Sequence, residues 1–248
     1  MKSVVCVKRV PDTEARIRIG DDGRSVDPSG VKFILNPYDE FAVEAALKHK
    51  EAGEGEVVVL SVGSAESVDV LRTSLALGAD EALLLTTTQS AEGLAVAEAI
   101  AAELKERKFD LILFGMKAID DDLQAVGAMV AELLDLPSAT VVTEFSVEDG
   151  KVTAHREIEG GTEVVEVPLP CVLTITKGAY EPRYASLKGI MAAKRKPLTE
   201  KEAHLGLSHT IESALEYPPE RQAGRIVGEG SDAVPELVRL LREEANVI

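Results

Sequence analysis

Residues 109–137 read "FDLILFGMKAIDDDLQAVGAMVAELLDLP", and the reading of this stretch decides the fold. The run "LILF" is apolar without alternation, the pattern of a strand covered on both faces. Gly115 follows, a residue that permits a tight turn or a close backbone approach. Three consecutive aspartates come next, Asp120, Asp121 and Asp122, and then a helical apolar pattern that Pro137 closes. A strand, a glycine turn, a loop and a helix start make one half of a parallel βαβ unit.

The same alternation extends toward the N-terminus. "SVVCVKRV" (3–10) and "EVVVLSVG" (56–63) are β-branched, apolar runs, and "EALLLTT" (81–87) is a third. Between and after them lie three helical segments. "NPYDEFAVEAALKHKEAG" (36–53) offers Asn36 as a cap, Pro37 in the first turn, Asp39 and Glu40 against the dipole, and Gly53 as a stop. Residues 64–80, with Ser64 as cap, and 90–108 are the others. "ARIRIGDDGRSVD" (15–27) predicts a short hairpin. The spacing predicts an α/β fold with a mostly parallel, doubly wound sheet and right-handed crossovers.

After Pro137 the pattern changes. Residues 139–177 contain no strong helix and carry turn signals at Asp149-Gly150 and Gly160-Gly161, so the C-terminal half is expected to be β-rich. "ASLKGIMAAKRK" (185–196) predicts one short helix. Periodicity fades from Pro197 to Pro219. The chain ends in an amphipathic helix with Val234, Leu237, Val238 and Leu241 on one side, either the end of an extended arm or a helix packed on its own domain. The division expected is 1–196 for a nucleotide-binding α/β domain and 197–248 for a C-terminal arm.

Composition excludes several functions. A net charge of −16 is wrong for a nucleic-acid binder, which needs a basic face, and for docking on anionic lipid. Cys6 and Cys171 lie in separate apolar runs without a CxxC pattern, and the four histidines show no zinc spacing, so no metal site is expected. The apolar run at the N-terminus is too short for a signal peptide, and a cytoplasmic location is expected. No acid–base or nucleophile constellation suggests catalysis.

Ligands of an open parallel sheet bind beyond the carboxyl ends of its strands. The start of the helix after the acidic loop presents free N–H groups that can hold a phosphate. One aspartate can cap that helix and another can accept from a ribose or adenine. Crowded acids favour a monophosphate over a polyphosphate, with Lys117 as neutralising partner. An ordinary acidic cap is the alternative. Neither GxxxxGK[ST] nor a GxGxxG after the first strand is present.

Six stretches in order along the chain carry a resemblance: "VKRVPD", "NPYDEFAVEAAL", "LRTSLALGAD", "GMKAIDDD", "REIEGGTEVVEVPLPCVLTI" and "EPRYASLKGIMAAKRKP". Together the sequence resembles the beta subunit of electron-transfer flavoprotein. The resemblance implies an adenine-nucleotide-hydrolase-like fold and a heterodimer with an alpha subunit that holds most of the FAD. It implies electron transfer from acyl-CoA or related dehydrogenases toward an acceptor such as a membrane quinone reductase, without substrate turnover or membrane insertion of its own. It implies a buried AMP in this chain. Carried over by motif, the AMP site comprises Cys6, Val62 and the turn Asn36, Pro37, Tyr38, Asp39. The loop adds Gly115, Met116, Lys117, Ala118, Ile119, Asp120, Asp121, Asp122, Leu123, Gln124, Ala125 and Val126.

Residues 181–197 resemble the family's recognition loop, with Leu187 as the anchor and Arg183, Tyr184, Ile190 and Met191 beside it. Pattern alone favours Leu187 and Ile190 as core residues of a short helix; the resemblance reverses that reading. The sequence departs from the family at Ala125 and Val126, where glutamine and then threonine or valine are usual; the glutamine stands one place earlier, at Gln124. Two rivals remain. One is an electron-bifurcating member with FAD in place of AMP. The other is a free-standing ATP-binding stress-type module, which would need an acid-poor loop for three phosphates.

Overall fold

The computed structural model describes residues 1–53, 55–220 and 223–248. They fall into two compact units, Met1–Ser213 and Ala214–Ile248. The first runs β1 (Lys2–Cys6), β2 (Arg9–Pro11), β3 (Phe33–Leu35), α1 (Pro37–Ala52), β4 (Glu56–Gly63), α2 (Val68–Leu77), β5 (Glu81–Thr86), α3 (Gly93–Lys105), β6 (Leu111–Gly115) and α4 (Val126–Leu133). It continues with β7 (Ser138–Glu148), β8 (Lys151–Ile158), β9 (Gly161–Pro168), β10 (Cys171–Ile175), α5 (Leu187–Ala193) and β11 (Leu198–Glu202). The second unit carries α6 (Val234–Glu243).

Nine strands form one sheet in the order β11-β5-β4-β1-β6-β10-β7-β8-β9. Pairings from β11 through β7 are parallel, and β7-β8-β9 is antiparallel. The aliphatic runs of the sequence are the central strands because both faces are covered. Val5 packs with Ala42 and Leu71 of α1 and α2, whereas Val4 and Cys6 pack with Ile100 and Val130 of α3 and α4. Deleting one such buried leucine typically costs about 2–5 kcal/mol. β1 lies between β4 and β6, so the crossovers diverge there and open a crevice beyond its carboxyl end.

The β-rich segment forms two hairpins, one turning at Asp149 and Gly150, both with positive φ. β7 passes from parallel to antiparallel pairing through an irregularity at Val142–Glu144. Val141, with φ 58°, donates its amide to Thr174 Oγ1 at 2.9 Å, which satisfies the N–H displaced there.

Some expectations change. The hairpin expected over 15–27 reduces to a single bridge, Ile19 to Val26, around the Asp22 turn. Residues 198–202, expected in the arm, form β11 at the sheet edge, and the division between units falls at Ser213, not Lys196. "LTEKE" is exposed except at Leu198, so no apolar pattern marks it as a strand. Ser64 and Asn36 precede their helices without a side-chain cap bond.

Candidate functional site

The carboxyl ends of β1, β4 and β6 open into a cleft of about 820 Å³, its open mouth included. Its inner wall is apolar, formed by Leu60, Val62, Val96, Ile100 and Phe114. Its floor is the backbone at Gly115. A Cβ there would lie 2.7 Å from the Asp39 nitrogen and from the Tyr38 carbonyl carbon, so only glycine fits. Gly127 opens the far side, where a Cβ would lie 2.7 Å from Thr174 Cγ2.

Asn36 is fully buried and holds the acidic loop in place of capping α1. Its Nδ2 donates to Lys117 O at 2.9 Å, and its Oδ1 accepts from Ile119 N at 3.2 Å. Asp39, in the first turn of α1, ties two strand ends together. Its carboxylate accepts from Lys8 N at 2.7 Å and Gly115 N at 3.2 Å. Burial raises its pKa to about 7, against the lowering pull of these bonds. Burial, and then the Asp39 charge, hold the Cys6 thiol well above its usual range. Cys6 is therefore a wall residue and not a thiolate nucleophile.

None of the three aspartates caps α4, whose preceding residue is Ala125. The chain instead enters left-handed backbone at Asp122 (φ 52°) and Gln124 (φ 54°), which ends helical continuity and shortens the helix expected from Asp121. The aspartates pair with lysines. Lys8 Nζ contacts Asp120 at 2.8 Å and Asp121 at 2.9 Å, and Lys117 Nζ contacts Asp122 at 2.9 Å. Burial would lower the Lys8 pKa, but its bonds to Asp120 and Asp121 raise it overall. The loop is thus less repulsive to anions than three bare carboxylates would be. No side chain caps α4, and Val126 and Gly127 of its first turn line the cleft; free first-turn amides are a donor set suited to a phosphate.

Of the residues expected in the site, Cys6, Asp39, Val62, Gly115, Met116, Lys117 and Ala118 line the cleft, as do Asp121, Leu123, Gln124, Ala125 and Val126. Asn36, Pro37, Tyr38, Ile119, Asp120 and Asp122 are not among the lining residues. Sequence reasoning missed Lys8, Leu60, Gly93, Val96, Ile100 and Phe114. The alternation of Cys6 with Lys8, and of Leu60 with Val62, was a usable signal. Leu123 is packed so closely on Gly93, the first residue of α3, that any Cβ there would collide with it. No group of residues suited to a metal occurs among the described residues.

A second region is exposed where the first is enclosed. Tyr184 is 98% exposed, Leu187 84%, Met191 63% and Ile190 45%. They lie on and before α5, whose cap Ser186 accepts from Gly189 N at 3.0 Å. Arg183 is not presented with them; its guanidinium is bound to Glu44 and Glu51 of α1. Lys196 donates to Leu75 O and Ala79 O, at and just beyond the end of α2. In the second unit, Val234 and Leu237 of α6 are exposed. No helix among the described residues is long and apolar enough to cross a membrane.

A model of the electron transfer flavoprotein domain matches residues 24–205. The chain is 43% identical over 225 residues to "Electron transfer flavoprotein subunit beta" of Syntrophomonas wolfei, covering 90% of this chain and 88% of that one. It is 41% identical over 250 residues to the protein of the same name from Bradyrhizobium diazoefficiens, covering the whole of both. It is also 42% identical over 203 residues to "Caffeyl-CoA reductase-Etf complex subunit CarD" of Acetobacterium woodii, covering 80% of this chain and 77% of that one.

Proposed function

The chain belongs to the electron transfer flavoprotein family, as a beta-type subunit acting in electron transfer, and from that premise we propose that it holds an AMP in the cleft and works as a heterodimer with an FAD-bearing alpha subunit. In this reading, acyl-CoA-type dehydrogenases deliver electrons to the flavin after docking on residues 181–197. The reduced flavin then passes them to an acceptor such as a membrane quinone reductase. The beta subunit turns over no substrate itself.

The observation that carries the proposal is the cleft at the switch point. An apolar wall fits a base, and the uncapped amides of α4 fit one phosphate. Recognition through backbone amides also accommodates the departure at Ala125 and Val126, because those residues still supply N–H groups. Adenylate bound there would tie α1, β1, β6 and α4 together, a structural role that needs no reactive side chain.

Mass analysis of small molecules released from the denatured heterodimer tests the reading. AMP with a single FAD is expected. A second FAD without AMP would move the chain to the bifurcating reading, and absence of any nucleotide would overturn the proposed site. ATP hydrolysis by the isolated chain would favour the stress-module reading.

A further inference from the structure

Residues 180–186 form no helix or strand. Yet they carry the fully exposed Tyr184 and lead directly into Leu187 at the start of α5. What holds this segment is side-chain chemistry at both ends. At one end Tyr180 is buried; its hydroxyl accepts from Phe145 N at 3.1 Å, donates to Phe145 O at 3.3 Å, and lies 3.2 Å from His49 Nε2. His49 stacks on Phe145 with centroids 4.1 Å apart. At the other end α5 rests on α2, where Gly189 lies against Ala76 O too closely for any Cβ.

Between them stands Arg183. Its Nε and Nη2 donate to the two oxygens of Glu44 at 2.7 and 3.0 Å. Its Nη1 and Nη2 donate to the two oxygens of Glu51 at 2.5 and 3.0 Å. Glu44 and Glu51 are two turns apart on the same face of α1. The planar guanidinium is thereby forked by two carboxylates at once, a geometry that fixes its plane as well as its position. Glu44 is 4% exposed, so one arm of the fork is anchored in the protein interior. Four of the five guanidinium N–H groups are spent inward, leaving little for a partner.

We propose that Arg183 is a positioning residue for the docking segment: the Arg183–Glu44–Glu51 double fork holds residues 180–187 against α1 so that Tyr184 and Leu187 are presented, preformed, to the electron-donating dehydrogenase. The inference rests on the docking role proposed above for Leu187. Its physical basis is preorganisation. An exposed apolar anchor on an otherwise irregular segment loses conformational freedom when it is buried in a partner. A scaffold that has already restricted the segment leaves less to lose on docking. Arg183 contributes to affinity through the posture of Leu187, not by touching the partner.

The test uses the heterodimer with its alpha subunit and a purified acyl-CoA dehydrogenase reduced by its acyl-CoA substrate. The dependence of electron transfer on heterodimer concentration gives KM and kcat. Glu51→Gln alters the solvent-facing arm and leaves the interior arm in place. Glu44→Gln with Arg183→Gln removes the buried carboxylate and its partner together, so that no buried charge is left unpaired, and Glu51, 55% exposed, is left to solvent. The double variant is expected to raise KM roughly tenfold, with a smaller rise for Glu51→Gln and with kcat and flavin content unchanged.

Leu187→Ala closes the cycle. If Arg183 acts through the posture of Tyr184 and Leu187, the double variant adds nothing further to KM once both anchors are removed, in the background of Leu187→Ala with Tyr184→Ala. Additive effects, as a direct contact of Arg183 with the partner would give, overturn the inference. So does an unchanged KM in the double variant when Leu187→Ala raises it, and the docking role then stands alone. An unchanged KM in Leu187→Ala overturns the docking role and the inference with it.

Discussion

The cleft at the switch point and the segment around α5 are built in opposite ways. The cleft is made from the backbone inward. Gly115, Gly127 and the uncapped turn of α4 shape it, while Asn36 and Asp39 spend their side chains on fixing main-chain atoms. The α5 segment is made from side chains outward. Its apolar groups face solvent, and its restraint comes from behind, through Tyr180 and Arg183. In the proposed function the enclosed cleft, tied to the core, keeps its nucleotide, and the exposed segment, tied on its back, releases its partner. Changes in the first should therefore cost stability, and changes in the second should cost exchange with a partner and leave the fold alone.

The sharpest test of the enclosed region is its buried acid. Asp39 has a folded pKa of about 7 against an ordinary value of 3.8. Between about pH 4 and pH 7 the folded chain retains a proton that the unfolded chain has released. Stability contributed by this group is therefore full below the unfolded value and falls as pH rises through the window, by roughly 4 kcal/mol in all. Urea unfolding at pH 5 and pH 8 should show the wild type losing stability relative to Asp39→Asn, which cannot titrate. An identical slope in the two proteins would mean that the carboxyl is not confined as its bonds indicate.

Gly115→Ala comes next. Its added carbon meets backbone on α1, which cannot swing aside as a side-chain tip can. A loss of about 1–3 kcal/mol is expected, together with loss of nucleotide from the purified heterodimer, read by mass analysis. Unchanged stability and nucleotide content would show that the floor of the cleft is softer than its packing implies.

These two positions also show what was legible in sequence. The central strands and their helices were, because strands covered on both faces need uninterrupted aliphatic runs such as "VVVL" and "LILF". Gly115 was legible because a glycine at a strand end has few other purposes. Lys8 was not. A lysine just beyond a strand reads as a solvated charge, and its partner Asp120 is 112 residues away. β11 was hidden because only one of its residues is even half-buried. Three aspartates ahead of a helical pattern suggested a cap, while in the fold the left-handed residues Asp122 and Gln124 flank Leu123, which packs against Gly93 of α3, a contact between distant parts of the chain. For α5, periodicity cannot say whether an apolar face is covered; exposure is a property of the whole fold.

Leu187→Ala breaks the comparison from the other side. Its side chain is largely in solvent, so thermal or urea unfolding should shift by less than about 0.5 kcal/mol. A larger loss would show that Leu187 belongs to the core after all.

A further small effect is expected from the ion pair Lys117–Asp122, on the rim of the enclosed region. The carboxylate is 64% exposed, so the pair should contribute about 0–1 kcal/mol and fade at high salt. Asp122→Asn isolates that contribution, because asparagine tolerates left-handed backbone as well as aspartate does. Asp122→Val removes the same charge but adds a β-branched side chain at φ 52°, where about 1–2 kcal/mol of strain is expected. If unfolding shows asparagine near wild type and valine well below it, the rim is held by the course of its backbone. If the two variants lose stability equally, and salt abolishes the difference from wild type, the ion pair holds it, and the rim then belongs with the α5 segment, restrained by side chains, rather than with the cleft it borders.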